Sequence, residues 1–191
     1  FKKDSFLLFL KLVGNLFTAF DTVNKTTFDS HALKLFTYQY EKNSIYRSYC
    51  NLINVDPSEV TEIKNIPFLP IQLFKTHNLN ISKRPPKIRF TSSKTTGQTS
   101  SIHAINDLNL YIKSFNKTFN YFYGDIENYV FLALLPSYLE RKGSSLVFMA
   151  DYLIKKTKRL ESGFYLNDWN ALRKNIIELE NKGQKTILLG V

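Results

Sequence analysis

The chain has 191 residues, 43% hydrophobic and 15% aromatic, enough apolar mass for one domain, or one domain with a small appendage, and too much for a wholly disordered polymer. Its 26 Lys and Arg outweigh 16 Asp and Glu, and the net charge of +10 suits an anionic partner such as nucleotide phosphates. A single cysteine, Cys50, excludes an intramolecular disulfide and favours a cytoplasmic location.

The basic residues are spread along the chain and are densest at Lys155-Lys156-Thr157-Lys158-Arg159. No run is long enough for a basic arm, so most of the charge reads as a solvated surface and no nucleic-acid partner is expected. Near the N-terminus, Phe6-Leu7-Leu8-Phe9-Leu10 is too short to span a bilayer and is followed by Lys11, so no integral membrane segment is expected. Lys2-Lys3 before that run resembles the start of a signal peptide, but Asp4 and the lack of a small-residue cleavage site argue against one. Residues 1–20 therefore read as an amphipathic or poorly ordered leader, and residues 21–191 as the domain.

From Asp29 to about Val55, Leu33, Phe36, Tyr40, Ile45, Tyr46 and Tyr49 recur at roughly helical spacing, which predicts one helix with Asp29-Ser30 as its cap. Asp56-Pro57-Ser58-Glu59 reads as a turn or a second helix start. Pro67 and Pro70 mark an extended segment that turns into a short helix around Leu73. Lys87–Thr91 reads as a strand, Ile105–Tyr123 as a helix ended by Gly124, and Tyr129–Leu135 as a strand buried on both faces. Ser145–Lys156 and Asn167–Lys182 read as helices, the second capped by Asn167-Asp168, and Lys185–Val191 as a last strand. The order strand, helix, strand, helices, strand predicts an α/β fold with a mainly parallel sheet flanked by helices, preceded by a helical N-terminal segment. A parallel sheet ordinarily continues beyond such a last strand, so a chain ending at Val191 reads as cut off.

Between the strand at Lys87–Thr91 and the helix after it lies Ser92-Ser93-Lys94-Thr95-Thr96-Gly97-Gln98. Hydroxyls and backbone N–H groups on a loop between strand and helix can converge on one anion. The spacing is not that of a Walker A loop. On composition alone, a phosphate site and a flexible surface loop fit it equally. Pro136-Ser137-Tyr138 follows the next strand, so both segments fall at carboxyl ends of predicted strands, where α/β sheets bind ligands, and they would line one cleft. His103 follows the loop closely enough to face that cleft, or serves in capping or packing; His31 and His77 read as structural. Cys50, inside the first helical pattern, reads as a buried structural thiol. The histidines and carboxylates show neither a zinc-ligand spacing nor a paired acid and base.

Ser92-Ser93-Lys94-Thr95-Thr96-Gly97 resembles the Ser-Ser-Gly-Thr-Thr-Gly phosphate loop of adenylate-forming enzymes. Ile66–Ile71, Phe74–His77, Ser100-Ser101-Ile102-His103, Leu134–Arg141, Gly143–Met149 and Ser162–Leu166 resemble the acyl-protein synthetase (LuxE-type) family over about residues 20–191. The resemblance implies ATP-dependent activation of a carboxylic acid, a fatty acid in the bioluminescent members, to an acyl-adenylate, with Mg²⁺ assisting. It implies an acyl acceptor protein, a reductase in those members, to which the acyl group passes by way of a synthetase cysteine. Ser92, Ser93, Thr95, Thr96, Gly97 and their neighbours Lys94 and Gln98 would then bind the ATP phosphates. Two departures follow. Lys94 stands where Gly is usual, and a lysine is strained at positive φ and fills space, so weakened phosphate binding is expected. The family's adenine- and ribose-contacting segments and its acyl-accepting cysteine fall beyond Val191, and Cys50 does not match that cysteine. A chain that binds nucleotide or a partner without chemistry is the alternative.

Overall fold

The structure is a computed structural model in which residues 23–92, 100–137 and 140–190 are described. The chain divides into two compact units, Phe1–Arg84 and Pro85–Val191.

In the first unit, α1 (Phe28–Lys42) and α2 (Ser44–Leu52) replace the single helix expected over Asp29–Val55. Asn43 breaks it. Its backbone leaves the helical region (φ −100°, ψ 101°), and its side-chain carbonyl accepts the Tyr46 N–H at 3.2 Å, capping α2. An asparagine can offer its own carbonyl in place of the helical one, so the apolar periodicity continues across a real end. The start of α1 also differs from expectation. Thr27 occupies the cap position, and Asn24 Oδ1 accepts from the Thr26 and Thr27 N–H groups just before it. Phe36, Tyr46 and Cys50 form this unit's core. The Tyr46 hydroxyl donates to the Pro67 carbonyl at 2.6 Å, holding the proline-rich segment on α2. A short helix, α3 (Leu73–Thr76), follows Pro70, where the two prolines place it. Cys50 is fully buried, and burial pushes its thiol pKa up, as a structural cysteine requires.

The second unit contains β1 (Ile88–Thr91), β2 (Ile102–Ile105), α4 (Leu108–Tyr123), β3 (Val130–Leu134), α5 (Ser145–Thr157), β4 (Gly163–Phe164), α6 (Trp169–Asn181) and β5 (Thr186–Gly190). β3 is the centre of a parallel sheet of order β4-β3-β5, with Leu132 opposite both Gly163 and Leu188. Its alternate residues serve two cores. Phe131, Ala133 and Leu135 pack with Phe115 of α4 and with Ala150 and Leu153 of α5. Val130 and Leu132 pack with Leu172 and Leu179 of α6. Helices thus cover both faces, which is why the strand reads as an unbroken apolar run. Each such buried side chain contributes about 1.5–3 kcal/mol.

The expected mainly parallel sheet holds for β3, β4 and β5 alone. β1 pairs antiparallel with β2, in a separate two-stranded sheet. The helix expected from Ile105 begins only at Leu108, because Asp107 Oδ1 caps it through the Asn109 and Leu110 N–H groups. It ends at Gly124, whose φ of +82° suits a residue without Cβ. The hairpin is seated by Phe90, nearly fully buried, whose ring lies 5.2 Å from Tyr111 of α4 and 5.7 Å from Phe148 of α5. The two-residue β4 was not legible as a strand. Its approach is fixed by Ser162, whose hydroxyl oxygen accepts the Phe131 N–H at 3.0 Å and is bridged to the buried Thr157 hydroxyl at 2.8 Å.

Candidate functional site

The Ser/Thr segment joins β1 to β2, so it connects a strand to a strand. The expectation of a loop running directly from a strand into a helix N-terminus is corrected. Ser93, Lys94, Thr95, Thr96, Gly97 and Gln98 lie outside the described residues, as does Tyr138. What the structure describes is the base of the loop. Ser92 N donates to Ser101 O at 3.1 Å, and Ser101 N donates to Ser92 Oγ at 3.0 Å. These two bonds extend the hairpin one residue pair beyond Thr91↔Ile102 and close the loop where it leaves the sheet.

The other edge of β1 meets the segment that follows β3. Thr91 N donates to Gly143 O at 2.8 Å. Gly143 has φ +88°, and the next residue, Ser144, caps α5 through its Oγ and the Val147 N–H at 3.3 Å. The hydroxyl of Tyr111 donates to Ser145 O at 3.2 Å, tying α4 to the same turn. Thr91 and Gly143 therefore hold the loop base against the turn that leads into α5.

Within that segment, Pro136 and Ser137 are half-buried and begin a turn. Ser137 O accepts from both Glu140 N and Arg141 N, and Ser137 N donates to Glu140 Oε2 at 2.6 Å. Hydrogen bonding from the Ser137 side chain and then from its backbone N–H holds the Glu140 carboxyl below the usual range. The Ser137 amide is thus occupied by Glu140, and Glu140 works as a clasp within its own turn. The sequence reading assigned Glu140 no role. The signal was present as a carboxylate three residues after a serine, the spacing that marks a capping box.

His103 is exposed on β2, opposite Phe90 in the hairpin register. His31 Nδ1 lies 2.8 Å from Thr27 O, and His77 Nδ1 lies 2.8 Å from Thr76 Oγ1, local contacts that fit structural roles. Among the described residues no group of His, Cys, Asp and Glu is gathered as a metal site. The basic cluster of α5 is engaged internally. Lys155 pairs with Asp151 at 2.6 Å, Lys156 donates to Asn116 Oδ1 at 2.8 Å, and Lys158 pairs with Glu127 at 3.0 Å. Among the described residues no helix is long and apolar enough to cross a membrane.

A protein-family model described as acyl-protein synthetase, LuxE, matches residues 16–128. The chain belongs to this LuxE family. No curated protein and no solved structure matches it. The matched interval takes in α1, α2 and α3 of the first unit, the β1–β2 hairpin with its Ser/Thr loop, and α4. The parallel sheet, Pro136-Ser137 and Gly143 lie after it, so the contact from Thr91 to Gly143 runs from inside the LuxE match to outside it.

Proposed function

We propose that this LuxE-family chain carries the phosphate-binding part of an enzyme that activates a carboxylic acid, in our reading a fatty acid, with ATP. In this reaction a carboxylate oxygen attacks the α-phosphorus. The new bond makes an acyl-adenylate, the bond from that phosphorus to the bridging oxygen breaks, and pyrophosphate leaves with the electron pair. The observation that carries the reading is the Ser92-Ser93-Lys94-Thr95-Thr96-Gly97-Gln98 loop, within the LuxE match, on a hairpin whose base is closed by Ser92 and Ser101.

Hydroxyls and N–H groups of Ser92–Gln98 hold the β- and γ-phosphates and favour the charge that builds on departing pyrophosphate. Ser92 Oγ already accepts one bond, from Ser101 N, which leaves its O–H proton to donate to a phosphate oxygen. Pro136, Ser137 and Tyr138 are the candidates on the acid-substrate side in this reading, with His103 as a further candidate. Mg²⁺ bound with the nucleotide supplies charge neutralisation. Among the described residues no group of His, Cys, Asp and Glu is gathered to hold it. The adenylate-forming domain takes in residues 21–191, with 1–20 as a leader; the acyl group goes on to an acceptor protein, and the work is cytoplasmic.

The test begins with ATP titration of the purified chain by calorimetry. Wild type should bind ATP, and K94G should bind it more tightly, by up to about tenfold if the full strain of a left-handed lysine is relieved. No ATP binding by either protein refutes the phosphate-loop reading. ATP–pyrophosphate exchange with a panel of fatty acids then separates the two remaining readings. Acid-dependent exchange supports the enzyme. Binding without exchange supports a non-catalytic nucleotide-binding module, the reading that Lys94 favours.

A further inference from the structure

We propose that Gly143 is a positioning residue for the Ser/Thr loop, a backbone latch that fixes the carboxyl end of β1; the proposal rests on the phosphate-loop reading above.

Two sides hold Thr91 in place. On one, it pairs with Ile102 across the hairpin; on the other, its N–H donates to Gly143 O at 2.8 Å. This is the last strand residue before the loop, so its position sets where the loop begins. A two-stranded ribbon is only marginally stable alone, and its end frays first. The Gly143 carbonyl supplies at that end a partner that β2 does not provide.

The carbonyl is aimed by a conformation suited to glycine. At φ +88° an L side chain is strained whatever the space around it. A Cβ at Gly143 would lie 3.4 Å from Thr91 Oγ1 and 3.8 Å from Arg89 O, ordinary contacts that do not by themselves forbid it. The backbone conformation is therefore what excludes a side chain here. The flanks leave little slack. The Glu140 clasp shapes the turn just before Gly143, and Ser144 caps α5 immediately after it. A residue that moved Gly143 to negative φ would turn its carbonyl away from Thr91 while both flanks stayed anchored.

The consequence bears on phosphate binding. Hydrogen-bond donors work on a phosphate only within about 2.7–3.1 Å, so a loop base free to shift by an ångström loses much of its effect. Gly143 would touch no substrate atom. It acts through Thr91 and the loop.

The experiment compares wild type, G143A and G143N in the 191-residue chain by amide hydrogen exchange, ATP titration and thermal unfolding. In G143A, exchange at Thr91 should quicken about tenfold relative to Leu132, and the ATP Kd should rise by a similar factor. G143N should fall between, because asparagine visits positive φ more readily. A glycine needed only for folding would instead speed exchange throughout β1, β3 and α5 together. Unchanged Thr91 exchange, a uniform acceleration, or an unchanged ATP Kd alongside faster Thr91 exchange would each overturn the proposal. If wild type itself binds no ATP, the phosphate-loop reading falls, and Thr91 exchange alone upholds or overturns the latch. Should G143A not fold, G143N makes the same comparison.

Discussion

Replacing Phe90 with alanine tests how the hairpin is held. Phe90 is 4% exposed, with ring centroids 5.2 Å from Tyr111 and 5.7 Å from Phe148. Truncating a buried Phe costs about 3–5 kcal/mol, from lost transfer and from the cavity left behind. Each aromatic pair accounts for about 0.5–1.5 kcal/mol of such a loss. Few other buried side chains seat β1 and β2, so the loss should appear first as detachment of the hairpin. Amide exchange at Ser92, whose N–H donates to Ser101 O, and at Lys87, whose N–H donates to Ile105 O, should quicken at least about a hundredfold, the equivalent of about 3 kcal/mol. Exchange at Leu132 of β3 should change much less. A double-mutant cycle of F90A with F148A should return a coupling of about 0.5–1.5 kcal/mol. F90L, which keeps most of the apolar volume, should retain most of the protection. The reasoning fails if F90A leaves hairpin exchange within about tenfold of wild type, or if F90A and F148A prove additive.

Three further outcomes follow from named contacts. Cys50 should react with a disulfide reagent only as fast as its unit opens, and C50S should cost about 1–3 kcal/mol for burying a hydroxyl, both read in a denaturant series. Glu140 should titrate below its ordinary value of 4.5, because Ser137 bonds to the ionised form. A depressed folded pKa means that the clasp is fully present above the ordinary value and is lost as pH falls through the lower one; an NMR titration midpoint at or above 4.5 would contradict it. G124A should cost about 1–3 kcal/mol of backbone strain and no more, since nothing lies within 4 Å of the added Cβ. A loss well above that in thermal unfolding would mean the end of α4 is packed more closely than the structure shows.

Sequence patterns carried the second unit further than the first. The run at Val130–Leu134, the cap at Asp168 and the stop at Gly124 each combine a hydrophobic period with a chemical signal, and those elements fall within a few residues of expectation. Where two signals conflicted, the pattern misled. Apolar spacing runs straight through Asn43, although the asparagine side chain ends one helix and starts another. Ile102–Ile105 is only four residues long and leads into a helix, so its alternation merges with the helical pattern after it. Gly163-Phe164 has no pattern at all, because a two-residue strand is made by its neighbours Ser162 and Ala133. At the candidate site, the loop was legible from its hydroxyls. Its attachment was not, because a contact from Thr91 to Gly143 is made by backbone atoms that no side-chain pattern encodes.

The place of β3 at the middle of its sheet has a consequence for biogenesis. Both strands that pair with it come later in the chain, at Gly163–Phe164 and Thr186–Gly190. During synthesis, Val-Phe-Leu-Ala-Leu-Leu emerges with both hydrogen-bonding edges open and no partner yet made, at a rate that leaves it so for seconds. Such an uncharged, β-prone hexamer is the kind of segment that pairs with copies of itself. The nascent chain therefore depends on early cover from α4, already translated, or on a chaperone that holds the segment until β5 arrives.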